Sequence, residues 1–202
     1  MTKSGPTYNN NLRRILHAIV IGGVALAYGL TDYTSDKVMP ALSIVTMVFL
    51  FADLMRLQSE PLNQIVQKNF SFILRKHEQH SISGTSWFLI AALLSVSLFP
   101  KTAVVMGFLF LAIGDPMASY VGIRWGGKVP GEKTWAGCGA FFITCWLIGS
   151  VWLWPYLGIK NVLLYSMICS TFTALAEFWV SEIDDNLVVP IVSATMLTLL
   201  LI

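Results

Sequence analysis

The stretch Thr102–Tyr120 reads TAVVMGFLFLAIGDPMASY. No ionisable side chain occurs from Thr102 to Gly114, and then Asp115 and Pro116 arrive together. A run of this length and composition reads as a membrane-spanning helix. Pro116 lacks a backbone donor and its ring clashes with the preceding turn, so the helix is expected to kink or open there. Ser119 follows one turn after Asp115. A carboxylate within a span is costly and marks a functional site by default. An acid beside a helix break near the membrane surface suits a cation, and we prefer that reading to an acid neutralised by a neighbouring Arg or Lys.

Six further apolar runs surround this one. They are Ile15–Leu30, Val38–Met55, Trp87–Phe99, Trp135–Trp154, Val162–Val180 and Leu187–Ile202. The expected fold is therefore an all-α, polytopic membrane helix bundle of about seven transmembrane helices, with residues 1–202 forming a single membrane-embedded domain. Basic residues gather on alternate connections: Arg13 and Arg14 before the first run, Arg56 to Lys76 after the second, and Arg124 to Lys133 after the fourth. The positive-inside rule then predicts a cytoplasmic N-terminus and an external C-terminus. The connection Ser181–Asn186 is acidic, but acids count little in that rule. Arg13-Arg14 followed by Ile15–Val24 and Ala25-Leu26-Ala27 also has the form of a signal peptide; the bundle needs no such segment.

Composition agrees. The chain has 202 residues, 55% hydrophobic and 12% charged, with a mean hydropathy of +0.69. A typical soluble domain is about 25% charged. Thirteen Lys and Arg against eleven Asp and Glu leave a net charge of +2, which argues against a nucleic-acid partner. Cys138, Cys145 and Cys169 lie in apolar runs without metal-ligand spacing and read as buried residues.

The polar residues concentrate at one end of the spans. After Tyr120 comes Gly122-Ile-Arg-Trp-Gly126-Gly127-Lys128-Val-Pro-Gly131-Glu-Lys133-Thr134. Its glycines allow close backbone approach to a ligand. Arg124, Lys128 and Lys133 add charge for a polyphosphate, and Thr134 opens the next helix. Glu132 between Gly131 and Lys133 breaks the Walker A spacing. His77-Glu78-Gln79-His80 has its histidines three apart, whereas a zincin needs four. Glu177, within the sixth run, precedes Asp184-Asp185-Asn186. Adjacent aspartates suit Mg²⁺, which takes one or two carboxylates together with phosphate oxygens. Asn186 is read as the cap of the last helix, with Pro190 in its first turns. Arg14 with His17, and Asp53 with Arg56, are three apart and can pair; Asp53–Arg56 reads as a structural pair. An acidic, metal-ready cluster and a basic Gly-rich loop on one face suit a nucleoside triphosphate with Mg²⁺.

These motifs together resemble the CTP-dependent lipid kinases (dolichol kinase, phytol kinase and CTP-dependent diacylglycerol kinase), within the superfamily that includes phosphatidate cytidylyltransferase. The matching stretches are Arg13-Arg14-x-x-His17, Arg75-x-x-Glu78 with Ser83-Gly84-Thr85, and Ile113-Gly114-Asp115-Pro116-x-Ala118-Ser119 with Gly122 and Gly126. Lys133-Thr134-x-x-Gly137 and Glu177 with Asp184-Asp185-Asn186-Leu187-x-x-Pro190 complete them. The resemblance implies transfer of the γ-phosphoryl group of CTP to a lipid alcohol of the polyprenol, phytol or diacylglycerol type. It implies Mg²⁺, with CTP as co-substrate. Asp115, Lys133 and Asp185 are the expected catalytic residues. Asp115, Glu177, Asp184 and Asp185 are the expected metal ligands. Arg75, Glu78, Ser119, Gly122, Gly126, Gly127, Lys128, Lys133, Thr134 and Asn186 are the expected nucleotide contacts. The active site is expected on the cytoplasmic face, in a prokaryotic cytoplasmic membrane or otherwise the endoplasmic reticulum, and a homodimer is carried as an expectation. The long C-terminal signature of the cytidylyltransferases, Pro-Gly-His-Gly-Gly with an Asp-Arg run, is absent, which disfavours CDP-lipid synthesis. A small transporter or scaffold is a further alternative. It is disfavoured because the acids crowd one face and no internal repeat is visible.

Overall fold

The structure, a computed structural model, describes residues 7–70, 77–127 and 133–202. These residues are helical, with no strand among them. Helix α1 spans Thr7–Leu30, α2 Ser35–Gln58 and α3 Glu60–Phe70, followed by a 3₁₀ turn at His77–Gln79. Helix α4 covers Gly84–Leu98 and α5 covers Lys101–Leu109. A π-helical turn, Phe110–Gly114, joins α5 to α6, Asp115–Trp125. Then come α7, Trp135–Leu153; α8, Ile159–Trp179; and α9, Asp185–Leu201.

All seven apolar runs are helices. Among the described residues five helical segments are long and apolar enough to cross a membrane, with α5, the π turn and α6 counting as one, Lys101–Trp125. α4 and α9 are shorter apolar helices of 15 and 17 residues. At 1.5 Å per residue they rise only about 22 and 26 Å. The two pack against each other and against α5.

The α5–α6 segment is the centre of the bundle. In its most apolar 18-residue stretch 61% of the residues are buried, against 11% in the corresponding stretches of α1 and α2. Every residue from Ala103 to Ala112 is buried, as expected of a helix that is apolar on all sides. α1, α4, α7 and α9 surround it. Outward-facing apolar residues such as Ile143, Leu147 and Val151 of α7 form an exposed stripe at helical spacing. Such stripes suit lipid rather than water. Exposed Trp125, Trp135 and Trp179 lie at one end of the helices, and Tyr33, Trp154 and Tyr156 at the other. These are the aromatic belts of a membrane protein. Buried hydroxyls of Ser166, Thr173 and Ser193 donate to carbonyls one turn back, at 2.6–2.7 Å, so no interior hydroxyl donor among them is left unmatched.

The break expected at Pro116 is present and has a definite form. The wide π turn lies immediately before Pro116, where the proline cannot bond to the carbonyl four residues back. Gly114, the last residue of that turn, is pressed against α7: a Cβ there would lie 2.6 Å from Cys145 Sγ. One element was not expected. α3 lies inside the segment read as a loop from Arg56 to Ser86, being too polar to register as a span. Ser59 is extended and ends α2, and Pro61 fits the first turn of the helix that follows.

Candidate functional site

Helix N-termini carry unpaired backbone donors and the positive end of the helix dipole. Those of α4, α7 and α9 come together at one end of the bundle. On α7, Thr134 is the cap, its Oγ1 accepting from Gly137 N at 3.0 Å. On α9 the cap is Asp184, whose Oδ1 accepts from Asn186 N at 2.9 Å and from Asn186 Nδ2 at 2.6 Å. This corrects the reading of Asn186 as that cap; Asn186 is the second residue of the helix. On α4, Ser83 is the cap, and two outside carboxylates assist it. Asp53 Oδ2 accepts from Ser83 N at 2.7 Å and from Ser86 Oγ at 2.8 Å. Glu78 Oε1 accepts from Gly84 N at 3.1 Å.

Lys133 ties α7 to α8 and α9. Its Nζ donates to Asp185 Oδ1 at 2.8 Å, to Val180 O at 3.1 Å and to Glu177 O. Glu177 Oε1 lies 3.7 Å away. The ammonium therefore closes the C-terminus of α8, where a cation is favoured, and neutralises the acid that starts α9. An ammonium has three donors, and all three are engaged. The charge of Asp115, half-buried at the first residue of α6, is felt by both Glu177 and Asp185. Lys133, Glu177 and Asp185 thus form one centre contributed by the start of α7, the end of α8 and the start of α9.

Among the described residues no three His, Cys, Asp or Glu side chains are grouped closely enough to hold a metal ion by themselves. Glu177 and Asp185 are hard oxygen donors set around one cation. A Mg²⁺ site completed by substrate phosphates requires only one or two such carboxylates, so the donor set fits that ion. Asp184 is committed to its cap.

The glycines of the motif serve packing. A Cβ at Gly122 or Gly126 would fall 2.8 or 2.7 Å from Thr134 Oγ1, and one at Gly137 would fall 2.8 Å from Ala118 O. Ala118, Gly122, Gly126, Thr134 and Gly137 are therefore the close contact of α6 with α7, and the threonine cap occupies the space the glycines leave. Gly127 differs. Its φ is +66° and nothing surrounds it, so it ends α6 in the left-handed conformation that glycine adopts without strain. Ser119 is half-buried, one turn beyond Asp115. Arg75 and Lys128 lie outside the described residues.

Beside this centre is a second buried network. Arg56, 3% exposed, donates through Nε and Nη2 to Asp53 Oδ1 at 3.0 and 2.7 Å. It also reaches Asn63 Oδ1 at 3.1 Å, Glu78 O at 3.0 Å and Ser81 O at 3.0 Å. The pairing of Asp53 with Arg56 was legible from their spacing. The meeting of three helix N-termini was not, because nothing in one helix's sequence says where another begins.

Comparison with known proteins adds names to this geometry. No family model matches the chain, and no solved structure matches it. An uncharacterised protein of Rickettsia prowazekii is 31% identical over 155 residues, covering 74% of this chain and 76% of that protein. The CTP-dependent diacylglycerol kinase 1 of Schizosaccharomyces pombe is 25% identical over 206 aligned positions, covering 94% of this chain and 92% of the enzyme. The enzyme of the same name from Saccharomyces cerevisiae is 24% identical, covering 90% of this chain and 70% of the enzyme. The chain is thus similar along most of its length to two enzymes named CTP-dependent diacylglycerol kinase, and with its membrane-type helices this supports the CTP-dependent lipid kinase family.

Proposed function

We propose that this membrane protein transfers the γ-phosphoryl group of CTP to the hydroxyl of a membrane lipid alcohol. Diacylglycerol, which the two yeast relatives' names carry, is the first substrate to test, with polyprenol or dolichol and phytol beside it. The observation that carries the reading is Lys133 held between Glu177 and Asp185 where three helix N-termini meet. The N-termini and the lysine supply positive potential for a triphosphate, and the carboxylates supply a base and hard ligands.

In this reading a phosphate oxygen takes the place of Asp185 on Lys133 and releases that carboxylate. Glu177 and Asp185 would hold Mg²⁺ together with phosphate oxygens, and the ion when bound would neutralise charge on the phosphates. Thr134 and the segment from Gly126 through Lys128 would flank the nucleotide, with Arg75, Glu78, Ser119, Gly122 and Asn186 around it. The lipid hydroxyl enters from the bilayer side. Its oxygen forms a bond to the γ phosphorus, the bond to the bridging β–γ oxygen breaks, and CDP leaves with that electron pair. The hydroxyl proton passes to Asp115 or Asp185. Most of the acceleration comes from positioning and charge neutralisation. The basic connections favour the cytoplasmic face for this site, and the 202 residues act as one unit, with a homodimer as its assembled form.

Ligand-dependent unfolding tests the nucleotide site. With Mg²⁺ and CTP at a hundred times its Kd, binding contributes about 2.7 kcal/mol. For a chain of this size that raises Tm by roughly 5–11 °C. Lys133→Ala and Asp115→Asn are expected to abolish the rise. An unchanged rise in both variants would remove this centre from nucleotide binding.

A further inference from the structure

Gly84, the first residue of α4, separates the two buried polar networks. A Cβ at this position would lie 2.5 Å from Asn186 Nδ2 and 3.1 Å from Glu78 Oε1. The Asn186 side chain therefore rests on the bare backbone of Gly84. Asn186 is 2% exposed, and its Oδ1 has no hydrogen-bond partner among the described residues. Its Nδ2 donates to Asp184 Oδ1 at 2.6 Å. The Asn186 carboxamide, in the first turn of α9, is thus held between its bond to Asp184 and its contact with Gly84.

Gly84 is in turn set by Asp53 and Arg56. Asp53 takes the N–H of Ser83 and the hydroxyl of Ser86. Arg56 takes the carbonyls of Glu78 and Ser81, and Glu78 takes the N–H of Gly84. Asn63, itself bonded to Arg56, adds the carbonyl of Gln79. Buried ion pairs are poor sources of net stability and are better understood as fixing one geometry among several. Here the geometry fixed is that of the segment Glu78–Ser86, at the far side of which stands Asp185 on Lys133.

We propose that Asp53 and Arg56 are positioning residues for the carboxylate centre, acting through Gly84 and Asn186 on the first turn of α9. The inference rests on the proposed function for its kinetic readout but has a second readout that does not.

The test uses Arg56→Lys, Asp53→Asn and Gly84→Ala in the full chain reconstituted in lipid nanodiscs. Lysine keeps the charge of Arg56 and loses its fork. Alanine at Gly84 suits a helix better than glycine does, so that variant probes the contact without unfolding α4, and it decides the matter if the others fail to fold. Each variant is expected to lower kcat per folded molecule at least tenfold. Arg56→Lys combined with Gly84→Ala is expected to be no worse than the more impaired single variant, since both act along one path. Hydrogen exchange at the amides of Asn186–Val188 is expected to quicken at least tenfold in all three variants, with the α5 amides unchanged. Wild-type exchange at Asn186–Val188 in Gly84→Ala would overturn the proposal, as would losses that add in the double variant. A wild-type protein inactive with CTP would refute the proposed function, and the exchange measurement would still decide the positioning role.

Discussion

Gly137→Ala tests whether the motif glycines exist for the α6–α7 contact. The added Cβ would sit 2.8 Å from Ala118 O and 3.1 Å from Thr134 Oγ1. A carbon and a carbonyl oxygen in ordinary contact stand about 3.3 Å apart, so the shortfall is about 0.5 Å. The clashing oxygen belongs to backbone and cannot rotate away. The helices must separate or α7 must shift, and overpacking of this kind costs about 1–3 kcal/mol. Moving residue 137 also strains the bond from its N–H to Thr134, a cap worth about 1 kcal/mol. Against this, alanine gains up to about 1 kcal/mol of helix propensity. The net loss is about 1–3 kcal/mol, which lowers Tm by roughly 2–12 °C. Gly139→Ala, two residues further along α7, is the matched control, because nothing lies within 4 Å of its added Cβ. It is expected to leave Tm unchanged or raise it slightly. Thermal unfolding of both variants in the same detergent decides the question. Equal Tm values for the two would refute the packing account of the motif.

Three further outcomes follow from the same geometry. Thr134→Ala removes the cap on α7 and is expected to cost about 1 kcal/mol, while Thr134→Ser keeps the cap oxygen and recovers most of that loss in thermal unfolding. Gly114→Ala is expected to destabilise the π turn, its Cβ lying 2.6 Å from Cys145 Sγ; Cys145→Ala removes that atom, so the double variant should unfold at a higher temperature than Gly114→Ala alone. Cys138, Cys145 and Cys169 are all buried, so a maleimide should modify none of them in the folded protein and all three after denaturation, as read by intact mass.

The helices were legible because a bilayer-spanning segment writes itself as an uninterrupted apolar run. Asp115-Pro116 likewise announced a break, since proline removes a donor wherever it stands. The sequence could not supply the form of that break. The π turn depends on Gly114 fitting against Cys145, a residue from another helix. Gly122, Gly126 and Thr134 were read as approaches to a ligand, and their packing between α6 and α7 was not legible, because a glycine's small size looks the same whether a phosphate or a helix fills the space beside it. Asp184 takes the capping role read for Asn186 for a similar reason: both residue types cap helices, and only the backbone shows which stands at the first turn. Lys133 was legible as a charge, but its bonds to Glu177 O and Val180 O were not, since carbonyls are present at every position. α3 escaped notice because its polar face hides it from any search for spans.

Transfer of label from CTP tests the central claim most directly. The purified protein would be reconstituted with Mg²⁺ and a panel of diacylglycerol, dolichol, phytol and phosphatidate, with CTP labelled at either the α or the γ phosphorus. The account predicts that γ label appears in a lipid monophosphate made from an alcohol, that CDP is released in equal amount, and that Asp115→Asn abolishes the transfer. Label from the α position appearing in a lipid product would contradict it and assign the protein to CDP-lipid synthesis.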